Sequence, residues 1–307
     1  MTQGMTAARG FVTMATGRDE YYILAQNLLR SYHFHSRSPM PFAIICDREN
    51  EYTADFDVVV LMDHPQHSVF DKLRLPELAP FAETIFIEAD CLAYHDLNGL
   101  WKIFKDGPDF GTLGYVLPLD SEIGWINPDY LGPYQGRIQE QYLHQGGVYY
   151  MRKGRLDAFM QTCRDICLHR EDFHFRLPNE EPVIALACTL HAYKPPKDWI
   201  DVFCYYPVAT IRRLNIKWGI LSFSLSLPDR PVSPPGIFLM HWGSDNTRGP
   251  LYKREAAVVS QNGNRKSAHF LIQVRDGFQT VLYRLRGFLK ALFPLSVKKY
   301  LRRILKK

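Results

Sequence analysis

The chain has no long apolar run. None of its 307 residues belongs to a stretch reaching the roughly 18 uninterrupted apolar residues of a membrane-spanning helix. The nearest, Trp218 to Leu227, is short and broken by serines. The opening MTQGMTAARG has no apolar core of the kind a signal peptide needs, so none is expected. Cysteine is scarce, six in all at irregular spacings. Cys163 and Cys167 stand four apart in a stretch that reads as helix, but no second Cys/His pair completes a zinc set, and free thiols in a reducing compartment are expected. There is no fixed-period repeat and no low-complexity tract. A Gly-rich basic loop after the first strand is also missing. The corresponding stretch, ATGRDEYY from Ala15 to Tyr22, has one Gly and one Arg, which weighs against a nucleotidyltransferase.

What is present is a core. Hydrophobic residues make up 46% of the chain and aromatics 13%, enough for a globular fold of one large or two small domains. Strand patterns at Phe11–Thr16, Pro41–Asp47, Phe56–Met62 and Glu83–Asp90 are nearly all apolar. A helical pattern, Asp19–His33, follows the first, and another, Val69–Leu78, follows the third, with Pro76 as a possible break. Such runs belong to strands covered on both faces, hence to an α/β sheet flanked by helices. Further strands are expected at Phe110–Val116, Gly146–Met151 and Ile237–Trp242, and helices at Gly154–His169 and Glu181–His191. Residues 118–140, rich in Pro, Gly and Tyr, read as a long functional loop.

Charge is unevenly spread. The net charge is +5, yet residues 268–307 carry ten Lys and Arg against one Asp, a net +9, which leaves −4 for residues 1–267. In that tail Phe278, Val281, Leu282, Leu285, Phe288, Leu289 and Leu292 recur at helical spacing, with Arg284, Arg286 and Lys290 off the stripe. After Pro294 a second short helix gathers Val297, Tyr300, Leu301, Ile304 and Leu305 opposite six basic residues. A basic amphipathic helical tail suits an anionic membrane surface. A terminal helix docked on its own domain, with a solvated charged face, is the other reading. Nucleic acid is not expected, because the rest of the chain is mildly acidic. The organisation expected is a domain over 1–255, a linker over 256–267 and the tail over 268–307, in a cytoplasmic protein peripherally held at the inner face of the membrane.

The stretch ETIFIEADCLAYHDL, Glu83 to Leu97, ends its apolar run on Glu88-Ala89-Asp90. Side chains two apart on a strand point to the same side, so both carboxylates can meet at the strand's carboxyl end, where open α/β sheets bind ligands. Two like charges there call for a cation, and oxygen ligands suit Mn²⁺ or Mg²⁺. A solvated strand end, or a helix cap by Asp90 or Asp96, explains the acids equally well.

That stretch, with four others, resembles the GT-A-fold glycosyltransferases, and among them glycosyltransferase family eight. The others are FDKLRLPELAPF before it, HQGGVYYMRKG at His144–Gly154, Asn179-Glu180-Glu181-Pro182, and HWGSDNTRGPLY at His241–Tyr252. They stand in family order across residues 11–252. The resemblance implies a GT-A-like (Rossmann-like) fold with a mixed, mostly parallel sheet, and sugar transfer from a nucleotide-diphosphate donor to a glycan, glycolipid or other hydroxyl acceptor, metal-assisted and retaining. It implies a metal at Glu88, Asp90 and His241. Thr13, Ala15 and Thr16 would meet the nucleoside, and Lys72, Arg74, Gly243 and Arg248 the ribose or phosphates. Gln145, Glu180 and Glu181 would lie near the transferred sugar. The chain departs from the family pattern at Glu88, where the first acid is usually Asp, at Gln145 for Asn, and at Tyr252 for Trp. Each residue also has a plainer use: Lys72 and Arg74 as a solvated helix face, His241 as a core histidine, Gly146-Gly147 as a bulge. A non-catalytic carbohydrate- or lipid-binding protein on the same fold, or a sugar nucleotidyltransferase, are the competing functions.

Overall fold

The computed structural model describes residues 8–196, 203–225 and 239–260. The tail 268–307 and the linker segment 261–267 lie outside the described residues.

Six strands form the main sheet: β1 (Arg9–Ala15), β2 (Phe42–Cys46), β3 (Val58–Leu61), β4 (Glu83–Ile87), β6 (Phe110–Pro118) and β7 (Glu140–Arg152). Their order is β3-β2-β1-β4-β7-β6. β1 pairs in parallel with β2 and β4, and β2 with β3, while β7 runs antiparallel to both β4 and β6. Alternation along β1 shows why the strands are apolar throughout. Phe11 joins the core beneath helix α1 (Asp19–His35), with Tyr22, Leu28 and Tyr32. Its neighbour Val12 joins the opposite core, beneath α4 (Asp157–Leu168) and α5 (Glu181–Leu190), with Phe159, Ile166 and Ile184. The mixed, mostly parallel sheet flanked by helices is therefore as the sequence implied.

Local chemistry sets the element ends. α1 begins on Asp19 and Glu20, matching charge to its dipole, and ends beside His35, which burial holds neutral by lowering its pKa to about 4. Pro76 does not break its segment. A 3₁₀ turn over Val69–Arg74, capped by Ser68 and Asp71, leads into the short α2 (Leu75–Leu78), and Pro76 sits in that first turn, where no N–H is needed. β7 is more than twice the expected length, because its buried polar residues Gln141 and His144 hide a strand from a hydrophobicity reading. The expected strand through Asp90 stops at Ile87. Residues 88–90 form a turn, closed by the Cys91 N–H donating to the Glu88 carbonyl (3.1 Å), and β5 (Cys91–Ala93) leaves in a new direction.

β5 belongs to a second sheet, of order β5-β11-β8, with β8 (Phe203–Tyr205) and β11 (Leu239–His241). A third sheet is the ribbon of β9 (Ala209–Asn215) and β10 (Ile220–Leu225). Short α3 (Leu100–Phe104) covers the α1 side of the main sheet. The linker expected from 256 begins as helix: α6 (Pro250–Ser260) buries Tyr252, Ala256 and Val259 in the core cluster that holds Trp242. Among the described residues no helix is long and apolar enough to cross a membrane.

Candidate active site

From β1 the chain adds strands first to one side, then crosses to the other, so a crevice opens at the carboxyl ends of β1 and β4. A cleft of about 550 Å³ lies there, walled by Ala15 and Thr16 after β1, by Glu88, Ala89 and Asp90 after β4, and by Lys72, Glu180, Glu181, His241 and Gly243.

The two acids converge through the turn rather than by strand alternation. Strand pairing then brings the imidazole to them. β11 runs antiparallel to β5, His241 opposite Cys91, and the Trp242 N–H donates to the Asp90 carbonyl (3.1 Å). His241 Nε2 lies 2.8 Å from Glu88 Oε2 and 3.1 Å from Asp90 Oδ1. One N–H cannot point at both, and Asp90 Oδ1 is left without a well-aligned donor although it is buried. One ligand atom from each of Glu88, Asp90 and His241 lies within 4.8 Å of the others. Two carboxylates and an imidazole, with a carboxylate oxygen short of a donor, fit a divalent cation such as Mn²⁺ or Mg²⁺.

The site's other charges are tightly paired. Lys72, nearly buried, bridges Glu88 and Glu180, with Nζ 2.6 Å from Glu180 Oε1. Burial alone would lower the Lys72 pKa, but the charges of Glu88 and Glu180 outweigh it and raise it. Burial pushes Glu88 up, yet Lys72 and His241 hold it well below the usual carboxylate range. Burial opposes the charged form of His241, but Asp90 and Glu88 prevail and raise it to about 10. Burial, with the nearby charges of Glu88 and Glu180, pushes Glu181 up to about 7. Its Oε1 accepts from the Gly146 N–H (2.9 Å) and its Oε2 from Asn179 (3.1 Å).

Gly146 and Gly147 serve the bulge and also the packing of the site. They lie in a bulge, since Thr112 faces Tyr149 while Leu113 faces Gln145. They also permit close approach. A Cβ on Gly146 would stand 2.2 Å from Glu181 Oε1, and one on Gly147 3.0 Å from His241 Nδ1. Any side chain there would push a site residue away.

Of the residues the resemblance singled out, the cleft gathers Ala15, Thr16, Lys72, Glu88, Asp90, Glu180, Glu181, His241 and Gly243. Others lie elsewhere. Thr13 is fully buried within β1, and Gln145 pairs with Leu113 on β7 without lining the cleft. Arg74 donates to the Asp63 carbonyl (2.7 Å), and the exposed Arg248 forms a two-bond ion pair with Glu20 (3.0 and 3.1 Å). Tyr21, His67 and Tyr205 also line the cleft. For His67 no sequence signal existed, because its place depends on a left-handed backbone (φ 52°) that the Asp71 carboxylate supports by accepting from Gln66 N–H.

A cation-ligating His241 has to give up its proton. With the imidazole raised to about 10, Mn²⁺ affinity is expected to rise about tenfold per pH unit between about pH 6 and 9. Titration calorimetry across that window checks it, and a pH-independent affinity would exclude His241 as a ligand.

The architecture is that of the GT-A glycosyltransferases. Among solved structures, the galactosyltransferase LgtC, in complex with donor and acceptor sugar analogs, is similar over 82% of this chain and 95% of its own, at 13% identity and a TM-score of 0.53. An active-site variant of LgtC gives 12% identity and a TM-score of 0.51 over the same shares. No family model matches the chain, and no curated protein sequence matches it.

Proposed function

We propose that the protein is a glycosyltransferase moving a sugar from a nucleotide-diphosphate donor to a hydroxyl acceptor on a glycan or glycolipid. One observation carries this reading: Glu88, Asp90 and His241 converge in the cleft at the switch point of the sheet, beside the paired Lys72 and the neutralisable Glu181. In the reaction the bond from the sugar's anomeric carbon to the diphosphate oxygen breaks, and a bond to the acceptor oxygen forms. Glu88, Asp90 and His241 would hold a divalent ion, Mn²⁺ or Mg²⁺, which would supply Lewis-acid stabilisation of the leaving diphosphate. Ala15, Thr16 and Gly243 place the nucleotide along the β1 edge, and Lys72 keeps a fixed positive charge beside the departing group. Glu181 faces the sugar as it gains oxocarbenium character, while Glu180, buried beneath the cleft, holds Lys72 in place. Glu181, ionising near neutrality, accepts the proton that the acceptor hydroxyl loses. The family resemblance implies retention, which requires the acceptor oxygen, with Glu181 as its base, to approach from the face that the diphosphate leaves. The basic tail 268–307 holds the enzyme at the inner face of an anionic membrane.

The test is turnover of a panel of nucleotide sugars with Mn²⁺. Release of nucleoside diphosphate is expected, rising in rate through about pH 7 as Glu181 ionises. Glu181→Gln is expected to remove that limb. Donor binding without turnover across all acceptors tried would identify a binding protein instead. Product anomer analysis by NMR decides retention.

A further inference from the structure

The ribbon of β9 and β10 stands apart from the other two sheets, and it is firmly anchored. Leu221 and Phe223 are buried against Tyr94, Cys204 and Trp242. Buried Glu255 accepts from the Ile216 N–H (2.5 Å), and Arg254 donates to the Leu214 carbonyl (2.9 Å). At the tip Gly219 has φ 59°, and a Cβ there would lie 2.7 Å from the Tyr94 carbonyl oxygen.

The outward side is of another character. Ser222 faces Arg213 but Phe223 faces Ile211, so Arg212 is an extra residue, and both arginines are exposed. Trp218 is 62% exposed at the tip, with the Lys217 ammonium 5.1 Å from its ring centre, and Ile220 is exposed two residues on. The end of α1 continues the patch. His95, against which Gly219 packs, stands 6.4 Å ring to ring from His35, and its neighbours Phe34 and Arg37 are exposed. Residues 209–225 include Arg212, Arg213 and Lys217 and no acid. Among the described residues neither Arg212 nor Arg213 has an ion-pair partner.

A rigidly held, exposed indole between cations has the composition of a bilayer interface, with the ring at headgroup level and Lys and Arg toward anionic lipid phosphates. We propose that this face, the β9–β10 ribbon with the end of α1, seats the protein on an anionic lipid bilayer. A strand tracking nucleic-acid phosphates would want more cations and would gain nothing from exposed Ile220 and Phe34. The lipid contact does not rest on the sugar-transfer reading.

The test uses the full chain and vesicles of phosphatidylcholine, with or without one-third phosphatidylglycerol. Wild type is expected to partition onto the anionic vesicles, and Arg212→Glu/Arg213→Glu to partition at least about 25-fold less, roughly fivefold per basic residue lost. Brominated lipid is expected to quench wild-type tryptophan fluorescence more than that of Trp218→Phe, whatever the tail contributes. Unchanged melting temperatures confirm that the variants fold. Partition that ignores phosphatidylglycerol, equal quenching in wild type and Trp218→Phe, or binding to nucleic acid in place of vesicles overturns the proposal. Loss of donor turnover with vesicle binding intact bears only on the sugar-transfer reading.

Discussion

Asp90→Asn is expected to weaken Mn²⁺ binding sharply and to lower donor turnover at least about a thousandfold, some 4 kcal/mol of transition-state stabilisation. The substitution keeps the shape of the side chain and removes one negative charge. Asp90 is the group that makes the cluster incomplete without a cation: its Oδ1 is buried without an aligned donor, while Glu88 already has both Lys72 and His241. Glu88→Gln is expected to cost less in cation affinity, since part of its charge is already engaged by Lys72, and more in stability, since it leaves Lys72 with only Glu180. Calorimetry with Mn²⁺ and release of nucleoside diphosphate measure the two effects separately. Wild-type turnover by Asp90→Asn would remove the cation from the reading altogether.

The sequence showed the sheet because β1, β2 and β4 are buried on both faces, and two-sided burial writes a continuous apolar run. It showed the acids because Glu88 and Asp90 interrupt such a run. It did not show how they meet. Strand alternation gave the right outcome for the wrong reason, since the strand ends at Ile87 and the turn that closes on Cys91 gathers them. The position of His241 was beyond any local pattern, because it follows from the pairing of β11 with β5 across about 150 residues of chain. The same holds for Lys72 and Glu180, which meet only when the 3₁₀ turn before α2 and the start of α5 approach the end of β4. Polar residues buried in β7 shortened that strand on paper, and the β5 strand after Asp90 is too short to announce itself.

Lys72→Met tests the stability of the cluster. Glu180 is fully buried beneath the cleft, and Lys72 is the cation that pairs with it. Removing the ammonium leaves a buried carboxylate uncompensated, which costs about 3–5 kcal/mol and lowers the melting temperature by roughly 10 °C for a domain of this size. The pH dependence gives the effect a signature. Glu88 is depressed below its ordinary 4.5 in the fold, so its contribution is present above about pH 4.5 and is lost as pH falls toward its folded value. Lys72 is raised above its ordinary 10.5, so its contribution is complete at every pH below that. The gap between wild type and Lys72→Met should therefore be full at alkaline pH up to about 10 and narrow on acidification, starting where the carboxylates that burial raises in the variant take up protons, above their ordinary 4.5. Lys72→Arg, which keeps the charge in a longer side chain, should recover part of the stability. Thermal melts of the three proteins across that range measure it, and a gap that widens in acid would show that Lys72 does not offset the buried acids.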